Sequence, residues 1–110
     1  MSKYKILISD IIEMIFRIEN SIKKTGVNFS NNTFYDSTLL RFQVIGETIK
    51  KLPREEIKKY SDVDWNVFVK FREIVSHNYF RINHKILNNM IVVELPKLKK
   101  AIKDMEKRGV

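Results

Sequence analysis

Ile8, Ile11, Ile15, Ile18 and Ile22 follow one another at alternating steps of three and four residues. That spacing forms one apolar stripe on an α-helix of 3.6 residues per turn, so the segment has to fold as a helix that buries this stripe. The helix is predicted to run from about Lys3 to Lys24. In Thr25-Gly26-Val27-Asn28, Gly26 is the natural C-terminal stop, because glycine accepts the left-handed conformation that closes a helix. Phe29 to Thr33 is rich in Asn and Ser and reads as a loop.

The same pattern recurs downstream. Leu39, Phe42, Ile45, Ile49 and Leu52 predict a second helix from about Tyr35 to Lys51. Gly46 inside it would cost roughly 1 kcal/mol against alanine in an exposed helix, which points to close approach of a neighbouring helix. Pro53 opens a short helix from Arg54 to Tyr60. Asp64 is a candidate N-cap for a helix from Trp65 to about His77, with Phe68, Phe71 and Val75 on its core side. Asn83 could cap a last helix that buries Ile86, Met90, Val93, Leu98, Ile102 and Met105, kinked or split at Pro96. No segment alternates with period two, and only 3 Gly and 2 Pro punctuate the chain. The expected fold is all-α, one domain over residues 1–110, an antiparallel bundle of four main helices plus one short helix.

Composition narrows the function classes. The absence of Cys excludes disulfides and thiolate zinc sites. No apolar run is long enough to span a bilayer, and Met1 to Lys5 leads into residues broken by Asp10 and Glu13 rather than into a signal-peptide core. A cytoplasmic location is expected. The formal charge of +8 favours a polyanionic partner. It also fits a solvated lysine coat, since much of it sits at the C-terminal end in Lys97, Lys99, Lys100, Lys103, Lys107 and Arg108. There is no Gly-rich phosphate loop, nucleophile elbow or zinc-protease helix.

One stretch carries chemistry: Arg72-Glu73-Ile74-Val75-Ser76-His77-Asn78-Tyr79-Phe80. On an ideal helix Arg72 and Tyr79 fall ~20° apart, on the border of the apolar face. Glu73 and His77, four apart, are neighbours on the polar face. Arg72 and His77 point ~140° apart, so one chain aims both at a small target only if the helix ends or distorts near Ser76. Two copies across a two-fold axis would solve this. A histidine exchanges protons near neutral pH, and Glu73 one turn away would favour its protonated form. Arg72 offers a forked donor for phosphate oxygens. Together they can cleave RNA without a metal or cofactor: the 2′-OH attacks the adjacent phosphate, His77 moves protons, and Arg72 stabilises the added negative charge. By spacing alone, an arginine and a histidine on one helix are more often a salt-bridged surface pair, and a Tyr-Phe pair such as Tyr79 with Phe80 is more often core or interface packing.

Four segments in order resemble the HepT-like toxins of the HEPN superfamily over nearly the whole chain. The Ile stripe from Asp10 to Ile22 resembles the family's first helix. Arg41-Phe42-Gln43-Val44-Ile45-Gly46-Glu47-Thr48 resembles its Arg-x-Leu-x-Ile-Gly-Glu-Ala segment. Trp65 followed by Arg72, His77 and Tyr79 resembles its Trp and Arg-x4-His-x-Tyr motif, and Leu95-Pro96-Lys97-Leu98 its closing Leu-Pro-x-Leu. The resemblance implies a homodimeric endoribonuclease toxin of a type VII toxin–antitoxin pair, acting without metal on RNA, with tRNA a reported target. It implies Arg72 and His77 as catalytic residues in a cleft between protomers, with Glu73 supporting them. It also implies a nucleotidyltransferase antitoxin of the MntA kind, which transfers AMP from ATP to Tyr79. Two positions depart from the pattern. Glu73 stands where the superfamily usually has Asn, Asp or His, and Asn78 where relatives are often acidic.

Two other functions fit the residues. A helical subunit that only docks a small nucleotidyltransferase needs the apolar interface and Tyr79 but not Arg72 with His77. A generic RNA-binding bundle needs only the charge and predicts salt-sensitive binding without cleavage.

Overall fold

The computed structural model describes residues 3–110. Met1 and Ser2, part of the start expected to lack a leader, lie outside the described residues. The elements are α1 (Lys5–Thr25), α2 (Asn32–Ile49), α3 (Arg54–Ile57), α4 (Trp65–Asn78), a 3-10 turn (Tyr79–Arg81), α5 (His84–Asn89), a π-helical turn (Met90–Glu94) and α6 (Leu95–Lys107). No strand occurs among the described residues.

Local chemistry explains most boundaries. Ile8, Ile11, Ile15 and Ile18 are buried along α1 and Ile22 is half-buried, as the stripe requires. Gly26 ends the helix at φ 70°, with its N–H donated to the Ile22 carbonyl. The Asn/Ser-rich loop is shorter than expected because Asn31 caps α2, its side chain accepting from the Phe34 N–H at 2.9 Å. Asp64 caps α4 through the Val67 N–H at 3.1 Å, and Asn83 caps α5 through Lys85 and Ile86. The short helix is a single turn and does not reach Tyr60. There the chain turns so that the Tyr60 carbonyl accepts from Trp65 Nε1 at 3.3 Å while its hydroxyl donates to Asp104 at 2.6 Å.

Pro96 is accommodated by widening rather than by a break. Proline cannot donate an N–H and crowds the carbonyl four residues back. The preceding turn is π-helical, and the Leu95 N–H bonds to the Met90 carbonyl five residues back. The wider turn takes up more residues, so core positions fall four apart as Leu87, Ile91 and Leu95, with Met90 beside them. This corrects two expected core residues: Ile86 is 43% exposed and Val93 39%. The register recovers in α6, where Leu98, Ile102 and Met105 are fully buried.

The main helices pack in the spatial order α4, α2, α1, α6. Their buried side chains form one cluster from Ile8 to Met105. The α2–α4 pair is antiparallel: Tyr35 near the start of α2 meets Tyr79 after α4, while Gly46 meets Phe68 and Arg72. Among the described residues no helix is long and apolar enough to cross a membrane.

Candidate active site

The site is built on the α2–α4 contact. Phe68, Phe71 and Val75 are buried and set the rotation of α4. With these inward, Arg72 lies at the seam with α2, its side chain 30% exposed. Gly46 lets the helices close there, because a Cβ on it would fall 2.7 Å from the Phe68 carbonyl oxygen and 3.1 Å from Arg72 Cβ. The close approach inferred from the sequence is therefore the approach of the arginine-bearing helix.

That contact brings Glu47, the next residue, to Arg72. Glu47 Oε2 lies 2.7 Å from Arg72 Nε. The oxygen is shielded from solvent and receives no aligned hydrogen bond, so the guanidinium charge is what compensates it. On its outer side Arg72 Nη1 donates to Glu73 Oε1 at 3.1 Å. The other Glu73 oxygen is 3.9 Å from Nε2 of His77, whose side chain is 76% exposed. One carboxylate thus stands between the arginine and the histidine. The His77 contact is too long for a hydrogen bond and acts as an ion pair only when the imidazole is protonated.

No distortion occurs at Ser76, whose hydroxyl donates to the Arg72 carbonyl at 3.1 Å within a continuing helix. The helix stops two residues later, where Asn78 has φ −137°. Within one chain Arg72 and His77 therefore meet only through Glu73.

Tyr79 follows the break and turns toward the start of α2. Its hydroxyl donates to Asp36 Oδ1, and the Tyr35 hydroxyl donates to the Tyr79 carbonyl. The Tyr35 and Tyr79 rings meet edge to face at 5.9 Å. Because the Asp36 carboxylate accepts its proton in a hydrogen bond, with desolvation and the Asp36 charge adding to this, the Tyr79 hydroxyl is pushed up to about 12. Phe80 beside it is 91% exposed. With His84, these residues line an open recess of about 380 Å³.

Tyr79 no longer continues the α4 spiral, so the helical angle to Arg72 does not describe it. The relation comes from α2 instead. Asp36 and Glu47 are eleven residues apart, which puts them on one face of that helix, ~20° and ~16 Å from each other. One face of α2 thus holds both Tyr79 and Arg72.

The sequence motif contained Arg72, Glu73, His77 and Tyr79; Glu47, from the segment around Gly46, joins them as the partner of Arg72. Asp36 and Tyr35 were missed, and no local pattern marks them, since they act across 43 and 44 residues of chain. His84 begins α5 and is exposed. Among the described residues no three His, Asp or Glu side chains gather as metal ligands would.

Fold and site define an all-α bundle of the HEPN kind, bearing an Arg-x4-His pair on the helix that packs against its glycine-containing neighbour. The chain belongs to the HepT-like ribonuclease family, whose model, "Ribonuclease HepT-like", matches residues 8–105. It is 36% identical over 100 residues to a "gamma-glutamylcyclotransferase and putative RNase" of Methanocaldococcus jannaschii, covering 89% of this chain and 45% of that protein. A "putative RNase" of Caldanaerobacter subterraneus subsp. tengcongensis is 36% identical over 63 residues, 57% of this chain and 56% of its own. Another "putative RNase" of M. jannaschii is 27% identical over 111 residues, 88% of this chain and 91% of its own. The chain thus spans about half the length of the first two relatives and most of the third. No solved structure gives a significant match.

Proposed function

We propose that this protein is an endoribonuclease toxin that cleaves RNA, with tRNA the expected target, by 2′-OH attack catalysed by His77 and Arg72 without a metal. The observation that carries this reading is the Glu73 carboxylate lying between Arg72 and His77 while Glu47 anchors Arg72 from α2. His77 takes the 2′-OH proton as that oxygen bonds to phosphorus. The bond from phosphorus to the 5′-oxygen breaks, and the leaving oxygen regains a proton from the imidazolium. Arg72 donates to the phosphate oxygens as their charge grows. Exposed Leu40 on the Asp36–Glu47 side of α2 gives this face apolar surface beside the charged pair, which supports a homodimer formed across it. The polar chemistry suits a cytoplasmic RNA substrate.

The proposed control is AMP transfer from ATP to Tyr79 by a partner nucleotidyltransferase of the MntA kind. The open recess around the Tyr79 hydroxyl supports it, and a nucleotide there would add negative charge on the same side of α2 as Arg72. A second reading, a non-catalytic subunit that docks a nucleotidyltransferase, draws on the 91% exposure of Phe80 beside Tyr79.

Incubation of the unmodified protein with total tRNA in EDTA, beside His77→Ala, separates the two. Cleavage by the wild type alone is the expected result. No cleavage by either, with Tyr79 unmodified by mass spectrometry, would overturn the nuclease reading in favour of the docking subunit.

A further inference from the structure

A second recess, of about 760 Å³, opens between the end of α2, α3 and the start of α4. Its floor is apolar, from Ile49, Leu52, Ile57 and Val69, and Trp65 forms one wall. Trp65 is held in place, since its Nε1 donates to the Tyr60 carbonyl at 3.3 Å and the Tyr60 ring meets it edge to face at 6.4 Å. Lys50, Arg54 and Lys58 form the rim. All three are exposed, and none takes part in an ion pair among the described residues.

The recess adjoins the Arg72 site on both helices that build that site. Lys50, which caps the C-terminus of α2, is three residues from Glu47, and Val69 is three from Arg72 on α4, so each is one turn away. Asn66 on its edge also begins a polar row on α4 with Lys70, Glu73 and His77, at steps of four, three and four, all exposed. A strand whose phosphate sits at Arg72 would pass along this row to the recess.

We propose that this recess is a nucleotide subsite for single-stranded RNA, a base entering against Trp65 and flanking phosphates meeting Lys50, Arg54 and Lys58. It deepens the ribonuclease reading and rests on it for the direction of the strand. An aromatic wall with unpaired cations around it is the pairing that single-stranded nucleic acid requires, a π-face for the base and positive charge for the backbone. The subsite fixes which nucleotide lies beside the cleaved bond.

Trp65 is the single tryptophan of the chain, so its emission reports the recess directly. The test titrates His77→Ala protein with a short single-stranded RNA oligonucleotide and follows that emission. Saturable quenching is expected. Adding Lys50→Ala, Arg54→Ala and Lys58→Ala together should raise Kd roughly tenfold and make the plot of log K against log salt shallower by about 2. The charge-matched control Lys23→Ala, Lys24→Ala and Lys97→Ala, on α1 and α6, should leave both within twofold. Unmoved emission, or equal loss in both triple variants, overturns the subsite, as does emission that follows protein concentration but not RNA, which would mean a second copy fills the recess. Cleavage by the wild type is scored separately. Quenching without cleavage would keep the subsite and sink the nuclease, and cleavage with unmoved Trp65 emission would do the reverse.

Discussion

Arg72 packs so tightly on Gly46 that a methyl group at position 46 would lie 3.1 Å from its Cβ and 2.7 Å from the carbonyl oxygen of Phe68. In an exposed helix Gly→Ala stabilises by up to ~1 kcal/mol. Here the sign reverses, because the contact is with backbone that cannot move without parting α2 from α4. Gly46→Ala should destabilise by about 1–3 kcal/mol, as overpacking does. Urea unfolding checks it: a midpoint that stays or rises would mean the two helices are free to separate at this point.

Glu47 tests whether the anchor matters beyond packing. Glu47→Gln keeps the shape and removes the charge that faces Arg72 Nε at 2.7 Å. Arg72 would then be held only by the exposed Glu73, in a geometry that solvent competes for. We expect kcat/KM on RNA to fall about tenfold, near 1.4 kcal/mol of transition-state stabilisation, with the unfolding midpoint nearly unchanged. Arg72→Lys should fall further, because the ammonium cannot reach Glu47 and a phosphate with one planar fork. Full activity in both would remove Arg72 from the chemistry.

Tyr79 offers a pH measurement. Its hydroxyl is raised to about 12 chiefly by donating to Asp36. A group whose folded value lies above its unfolded one gives stability that is intact below the unfolded value, about 10, and is lost as pH climbs through the folded value. The contribution should therefore persist through neutral pH and fade between about pH 10 and 12. Phenolate absorbance should place Tyr79 among the last tyrosines to ionise, identified by its loss in Tyr79→Phe. Asp36→Ala should bring it back toward 10. A titration unaltered by Asp36→Ala would show that this hydrogen bond is absent in solution.

The fold and half the site were legible for the same reason: both are written in short-range spacing. The Ile8 to Ile22 stripe, the caps Asp64 and Asn83, and the neighbours Glu73 and His77 depend on residues within a few turns of one another. Gly46 was informative because a costly residue inside a helix demands a tertiary reason. The errors came where the spacing changes or the partner is remote. A π-helical turn upstream of Pro96 resets the period and moves Ile86 and Val93 out of the core. Asp36 meets Tyr79 only after the chain has folded back along α2, and a lone aspartate in an amphipathic helix gives no sign of that.

The regularity of α4 bears on how a complete site forms. Arg72 and His77 point ~140° apart on a straight helix, and α4 continues unbroken to Asn78. In one chain they share Glu73 but not a common target, whereas a two-fold axis along this face would set Arg72 of one protomer opposite His77 of its partner. Arg72→Ala and His77→Ala should each be inactive alone. Refolded together in equal amounts, they should regain activity. Half the dimers would be mixed, and each mixed dimer would hold one intact site of two, so about a quarter of wild-type cleavage is expected. A self-contained site predicts none. Silence from the mixture, with mixed dimers shown by native mass spectrometry, would mean that each protomer bends its own Arg72 and His77 onto the phosphate when RNA binds.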